Sequence, residues 1–170
     1  MAKEGETESN KSYDVGLVCL DDQQRDHHET SVTMNGQRIQ LATASAALSP
    51  EDMVDGQKVM LFNNDNKRGT VHYRSYNSRT PSKFGMIAIA EKPGDERKAV
   101  HGMNDSGTLV VALSPYQERD LKPVKSVGML VGIEEFTEPI ESISLAVPIR
   151  RNLEELMKDN YCENKVISFE

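Results

Sequence analysis

Residues His101–Leu113 read HGMNDSGTLVVAL, and the interpretation of the whole chain starts from this stretch. The asparagine, aspartate and glycine around Ser106 favour turns or unusual backbone angles. The run that follows, Leu109–Leu113, is apolar and rich in β-branched residues, which predicts a buried strand. The sequence therefore predicts that Ser106 stands on a tight turn at the start of a strand.

Two interpretations of Ser106 are open at this point. A nucleophilic serine needs such a turn, because neighbouring backbone N–H groups can then point at a developing oxyanion. Asn104–Gly107 is also ordinary turn composition, so the alternative is a surface turn that enters a core strand.

The composition indicates a single globular domain with a polar surface. The chain has 170 residues, of which 37% are hydrophobic and 28% charged, and its formal net charge is −7. The negative charge argues against nucleic acid and anionic membranes as partners.

The lack of a recognisable targeting signal and the low number of cysteines favour a cytoplasmic or otherwise intracellular location. The first residues, MAKEGETESNKS, are polar and lack the apolar segment of a signal peptide. No apolar run approaches the roughly 20 residues of a membrane helix. The two cysteines, Cys19 and Cys162, are too few and too far apart in sequence to predict a disulfide framework.

Short apolar segments recur between turn-forming residues, and this spacing predicts an all-β barrel or sandwich with a terminal helix. Asn35–Gly36 indicates a hairpin, and Ser49–Asp52 a turn or a single helical turn. Asn63–Lys67 indicates a turn between strands, and Glu91–Lys98 a charged turn. The predicted strands and helix are Tyr13–Leu20, Val59–Phe62, Gly69–Tyr76, Phe84–Ala90, Leu109–Leu113, Val127–Ile133, Ile143–Ile149 and the helix Asn152–Lys158.

Taken in order, these segments resemble the chymotrypsin/trypsin-like serine peptidases, from the strand that carries the catalytic aspartate to the C-terminal helix. Met103–Thr108, MNDSGT, is similar to the Gly-Asp-Ser-Gly signature around the nucleophile, and Asp14 matches the aspartate. Gly56–Val59 and Arg68–Val71 are similar to the first hairpin of the family's second barrel. Val131–Phe136 is similar to the strand that lines the substrate groove, and Ser144–Ile149 to the closing strand.

The resemblance implies a chymotrypsin-like six-stranded Greek-key barrel. Remnant strands of a first barrel would precede it, and a short C-terminal helix would follow. The implied organisation is a disordered arm over 1–12, a first-barrel remnant and linker over 13–48, the second barrel with its helix over 49–160, and a tail over 161–170.

The implied function is that of a trypsin-like serine endopeptidase, which hydrolyses peptide bonds through an acyl-enzyme. Ser106 would be the nucleophile, Asp14 the orienting acid, and the backbone N–H groups of Asn104 and Ser106 the oxyanion donors. The implied substrate groove is lined by Glu134, Glu135, Phe136, Val100 and His101. We expect no cofactor and no metal, and either a polypeptide substrate or a protein partner.

The chain departs from the family pattern at several positions. The family's general base is a histidine upstream of the aspartate, and no histidine precedes Asp14. Asn104 replaces a glycine of the oxyanion hole, and Glu135 replaces a serine of the groove strand. No acid lies within Lys98–Val100, where the floor of the specificity pocket falls, so a preference for arginine or lysine is not supported.

These departures predict a chain that is weakly active or inactive by itself. The remaining candidates for a base are His27, His28 and His101. Three alternatives stay open: an incomplete serine peptidase, a catalytically inactive peptidase-like interaction module, and an unrelated all-β binding domain. A partial first barrel would expose the edges of Tyr13–Leu20, which predicts self-association through strand pairing.

Overall fold

The computed structural model describes residues 31–34, 37–42, 47–62, 64–78, 83–91, 98–100, 102, 105–113, 124–137 and 140–159. Two short strands, β1 (Ser31–Met34) and β2 (Gln37–Gln40), precede a 3-10 turn at Pro50–Asp52. The elements that follow are β3 (Lys58–Leu61), β4 (Asn64–Ser78), β5 (Lys83–Ala90), β6 (Leu109–Ala112), β7 (Ser126–Thr137), β8 (Ile140–Pro148) and the helix α1 (Ile149–Asp159).

Strands β3 to β8 close into an antiparallel barrel, which confirms the predicted all-β barrel with a short C-terminal helix. The order around the barrel is β3-β4-β5-β8-β7-β6. The consecutive strands β3, β4 and β5 lie side by side, and β6 returns to pair with β3, where Val59 lies opposite Ala112. Strands β7 and β8 fill the gap between β6 and β5, so that every barrel strand has two neighbours.

The barrel interior is filled by branched aliphatic side chains that alternate along the strands. Val59 and Leu61 on β3 belong to the interior cluster, whereas Met60 between them belongs to a cluster on the outer surface. Ile87 and Ile89 on β5 are likewise interior. This period of two is that of a pleated strand with a different environment on each face.

Gly69 on β4 marks the closest approach inside this core. A Cβ atom at Gly69 would lie 2.6 Å from Cγ2 of Val100 and 2.8 Å from Cγ2 of Ile89. The residue is buried, and only glycine leaves room there for both side chains. The segment that contains Val100 is therefore packed directly onto β4.

The outer face of β3 and β6 is covered by the chain that leads into the barrel. Leu41 pairs with Val124 in a parallel bridge, and the Ala42 N–H donates to the Val124 carbonyl at 2.7 Å. Leu41 packs on a buried cluster made of Met60, Val111 and Val124. The entering segment thus shields apolar side chains that point away from the barrel axis.

A third apolar cluster lies on the outer face of β5, β7 and β8, where it includes Met86, Ile143 and Leu145. Helix α1 contacts β7 and β8, and its Leu153 is buried. The helix begins at Ile149, earlier than predicted, because the chain turns into it directly after β8 ends at Pro148. Proline is well suited to a helix start, since it needs no intrahelical N–H partner there.

Several local predictions are confirmed. Strands β1 and β2 form a hairpin in which Met34 lies opposite Gln37, on either side of the predicted Asn-Gly turn. Pro50 begins the single 3-10 turn, and the Ser49 hydroxyl donates to Oδ2 of Asp52 at 2.8 Å. The N–H of Glu91 donates to the carbonyl of Lys98 at 2.8 Å, which closes the predicted charged turn after β5.

Several strand boundaries differ from the prediction, among them the start of β8, which lies at Ile140 and not at Ile143. Asn63–Lys67 was predicted to be a turn, but β4 already begins at Asn64, which lies opposite Leu61 after a bulge. β7 was predicted to end at Ile133, but it continues to Thr137 because its ladder with β8 persists as far as the pair Thr137–Ile140. Backbone pairing extends both strands through residues that are mostly polar, so the apolar pattern did not predict them.

Some predicted segments lie outside the described residues. These are the strand Tyr13–Leu20, the arm over 1–12 and the tail over 161–170. Within the described part of the chain, no helix is both long enough and apolar enough to cross a membrane.

Candidate functional site

Ser106 lies at the tip of a β-turn immediately before β6, as the sequence predicts. The Thr108 N–H donates to the Asp105 carbonyl at 3.0 Å and closes the turn. Gly107 has φ of +86°, the value that the third position of a type II turn requires and that favours glycine. Ser106 is exposed. The turn thus presents the serine hydroxyl to solvent at the mouth of the barrel.

Backbone bonding leaves the Ser106 N–H available. The N–H groups of Asp105, Gly107 and Thr108 donate to the carbonyls of Gly102, Leu130 and Asp105. The Ser106 N–H donates to none of the residues that the structure describes. A hydroxyl and an uncommitted N–H on one residue are the pair that a nucleophile and an oxyanion donor need.

The turn is held on one side by the carboxylate of Asp105. Oδ2 of Asp105 accepts the Gly102 N–H at 2.9 Å and forms an ion pair with Nζ of Lys67 on β4. The Asp105 N–H returns to the Gly102 carbonyl at 3.2 Å. Lys67 was not singled out from the sequence, because it lies in a run of polar residues that predicts only a turn.

On the other side, the turn is joined to β7. The Gly107 N–H donates to the Leu130 carbonyl at 2.8 Å, and the Leu130 N–H donates to the Thr108 carbonyl at 3.0 Å. Strand β6 pairs with β7 only over the part of β7 that precedes Leu130. Ser106 therefore sits where the shared ladder of β6 and β7 ends.

Beyond Leu130, the described residues leave one edge of β7 without a strand partner, and we call this the open edge of β7. Residues Gly132–Thr137 pair with β8 on one side. The described part of the chain places no strand on their other side. An unpaired strand edge offers backbone donors and acceptors to an extended polypeptide, and this edge begins beside Ser106.

The segment Lys98–Val100 is fixed to β8 by two serines. The Ala99 N–H donates to the Ser142 hydroxyl at 2.9 Å, and the Val100 N–H donates to the Ser144 hydroxyl at 2.8 Å. Ser144 is fully buried. The sequence feature that could have indicated this contact is a pair of serines, Ser142 and Ser144, at alternate positions of a mostly apolar strand. Alternate positions place both hydroxyls on the same face of the strand.

Val100 was expected to line the substrate groove, and the structure places its side chain in the barrel core. It belongs to the interior cluster and is 7% exposed. The physical reason is the space left by Gly69, into which Val100 packs. The segment Lys98–Val100 thus contacts β8 through its backbone, while the side chain of Val100 packs in the core.

The three predicted groove residues on β7 do not share a face. Glu135 lies opposite Ser142, so it is on the side of β8 that holds Lys98–Val100. Glu134 and Phe136 point to the opposite side, and Phe136 packs on the outer apolar cluster. Glu135 is exposed, whereas Oε2 of Glu134 is buried and has no hydrogen-bond partner among the described residues.

Ile133 joins Glu135 on the groove side, since it lies opposite Ser144. Its side chain is 39% exposed, so an apolar side chain is accessible on this side of the strand. Apolar Ile133 and acidic Glu135 therefore flank the region between the open edge of β7 and the segment Lys98–Val100.

The remaining predicted site residues lie outside the described residues. They are Asp14, His101 and Asn104, together with the alternative bases His27 and His28. Among described residues the histidine is His72, which is half-buried on β4. The described residues contain no group of three or more histidine, cysteine, aspartate or glutamate side chains arranged to hold a metal ion.

Comparisons with protein-family models, with curated proteins and with solved structures found no match to the chain.

Proposed function

We propose that the chain is the second-barrel part of a chymotrypsin-like serine endopeptidase, with Ser106 as the nucleophile that attacks a polypeptide substrate. The observation that carries this proposal is the placement of Ser106. Its exposed hydroxyl and uncommitted N–H lie on a tight turn, directly beside the open edge of β7.

The strand order supports the family assignment. Strands β6, β3, β4 and β5 lie side by side in that order, with three consecutive strands and a fourth that returns to the first. This is the arrangement that defines a Greek key. The segments that resemble the family lie on barrel elements in the same order: the segment similar to the serine signature precedes β6, the one similar to the groove strand lies in the second half of β7, and the one similar to the closing strand lies in β8, before α1.

A polypeptide substrate fits this geometry as an added strand. An extended chain along the edge of β7 would form main-chain hydrogen bonds with residues beyond Leu130. Its side chains would meet Ile133 and Glu135, which are exposed on the groove side. A carbonyl group of that chain would then lie next to Ser106.

The chemistry follows from the same placement. The Ser106 Oγ attacks the carbonyl carbon and the hydroxyl proton passes to a base. The base gives that proton to the substrate nitrogen as the C–N bond breaks, so the amine leaves, and water then hydrolyses the acyl-enzyme. The oxyanion would accept hydrogen bonds from the N–H groups of Ser106 and Asn104. Asp14 would orient the base.

The availability of a general base limits the rate of this reaction. No histidine precedes Asp14 within these 170 residues, so the base would be His27, His28 or His101, or it would come from a longer parent chain or from a second chain. We therefore expect slow acylation of this chain by itself, because serine at its ordinary pKa is a poor nucleophile.

The second candidate is a polypeptide-binding module without catalysis. The open edge of β7 favours it independently, since strand addition requires only the edge and not an activated serine. In that case Glu135 would act as a contact for basic side chains of the partner.

Labelling with a fluorophosphonate probe tests the proposal. The purified chain should be labelled, Ser106→Ala should not be, and Ser75→Ala should be labelled like the wild type, because Ser75 is an equally exposed serine on β4. Circular dichroism would establish that all three proteins are folded.

Absence of labelling in the folded wild type would refute the peptidase proposal for this chain. Fluorescence anisotropy with an unfolded polypeptide such as labelled casein would then test the binding module. Binding that survives in Ser106→Ala supports the module, and absence of binding refutes it.

A further inference from the structure

We propose that Lys67 is a positioning residue for Ser106, acting through Asp105 to hold the serine turn in place. The role assigned to Ser106 rests on the proposed function. The attachment of the turn to β4 rests on the contacts alone.

The first argument is the convergence of contacts on one atom. Oδ2 of Asp105 receives both the ammonium group of Lys67 and the N–H of Gly102. The Lys67 and Asp105 side chains are 34% and 21% exposed, so the pair is partly shielded from water. Charge-assisted hydrogen bonds in such surroundings are among the stronger side-chain contacts.

The second argument is the exposure of this segment. A Cβ atom added at Gly102 or at Gly107 would find no atom within 4 Å. Gly102, Ser106 and Gly107 are all exposed. Where van der Waals contacts are few, hydrogen bonds and ion pairs determine the backbone conformation.

The third argument is the direction of the contact. β4 neighbours β3 and β5 in the barrel, whereas the turn is joined by its backbone to β7. The pair between Lys67 and Asp105 therefore ties the turn to a second, separate strand. Attachment on two sides restricts the directions in which the Ser106 hydroxyl and N–H can point, which is what preorganised catalytic groups require.

Three variants separate this role from general stability. Lys67→Met removes the charge and keeps the aliphatic chain, while Lys67→Arg keeps the charge. Lys58→Met is the matched control: Lys58 is also a strand lysine that donates to a side-chain oxygen, at 3.0 Å from Thr70 Oγ1, but it does not contact the turn.

The first readout is the exchange rate of the Gly102 amide proton, measured by NMR. We expect Lys67→Met to speed this exchange about tenfold, in line with the loss of a charge-assisted contact. Lys67→Arg and Lys58→Met should leave it within about twofold of the wild type. Equal exchange in Lys67→Met and the wild type would overturn the proposal.

The second readout is the rate of fluorophosphonate labelling at Ser106. Lys67→Met should slow labelling about tenfold, with recovery in Lys67→Arg. Unchanged labelling in Lys67→Met would overturn the positioning role. If the wild type is not labelled at all, the proposed function fails, and the exchange rate of Gly102 still decides whether Lys67 holds the turn.

Discussion

Replacing Gly69 by alanine is expected to strain the core and disturb the segment that borders the candidate site. The added Cβ would lie 2.6 Å from Cγ2 of Val100, 2.8 Å from Cγ2 of Ile89 and 3.0 Å from the Ala90 carbonyl oxygen. Val100 and Ile89 are 7% and 0% exposed, so neither side chain can move into solvent. Overpacking of this kind costs about 1–3 kcal/mol.

We therefore expect Gly69→Ala to lower the free energy of unfolding by about 2 kcal/mol, which for a chain of this length lowers Tm by about 4–8 °C. Differential scanning calorimetry and urea denaturation measure the two quantities. The matched control is Gly132→Ala on β7, where a Cβ would find no atom within 4 Å. That variant should stay within about 0.5 kcal/mol of the wild type.

A double variant identifies the clash as the cause. Val100→Ala removes the Cγ2 atom closest to the new methyl group, so Gly69→Ala should be less costly when Val100 is already alanine. The coupling free energy between the two substitutions should be at least about 1 kcal/mol in favour of the double variant. If Gly69→Ala were as neutral as Gly132→Ala, or if the two changes were additive, the reasoning from close packing would be refuted.

Three further changes test other contacts. Ser144→Ala removes the acceptor of the buried Val100 N–H and should lower the free energy of unfolding, measured by urea denaturation, by about 1–3 kcal/mol. Ser142→Ala should lower it by less, because Ser142 is only half-buried. Gly107→Ala forces an alanine to a φ of +86° and should cost about 1 kcal/mol in the same assay, and a neutral effect would contradict the turn geometry. Glu134→Leu should raise the free energy of unfolding by about 1 kcal/mol and so raise the thermal midpoint, because Oε2 of Glu134 is buried and has no partner among the described residues. A lowered midpoint would show that the carboxyl group is stabilising.

The barrel strands were predictable because apolar alternation and turn residues are local signals. Val59–Phe62 and Phe84–Ala90 were each placed to within one residue of β3 and β5. The apolar pattern did not predict the extension of β7 to Thr137, since the extension depends on pairing with β8 and not on the character of Glu134 or Glu135. Only the family resemblance implied a strand as far as Phe136. Bulges in β4, such as the one between Val71 and Tyr73, also break the alternation on which such predictions rest.

The position of Ser106 was predictable for the same reason: the turn and the strand adjoin in sequence. The surroundings of the turn were not, because they are assembled from distant segments. Lys67 meets Asp105 and Ser144 meets Val100 only after the barrel has formed. The side chain of Val100 was assigned to the groove because nothing local indicates that Gly69 leaves it a place in the core.

The seam between β3 and β6 has a consequence for how the chain folds. The hairpins β3–β4, β4–β5 and β7–β8 join strands that are consecutive in sequence, and such pairings form within microseconds. Closing the seam requires Val59 to find Ala112, and the join between β5 and β8 requires Ile87 to find Ala146. Non-local pairings of this kind are slow, because the loop-closure entropy must be overcome before the contacts form. Since Ser106 lies at the start of β6, we expect its surroundings to be completed in the last and slowest phase of folding.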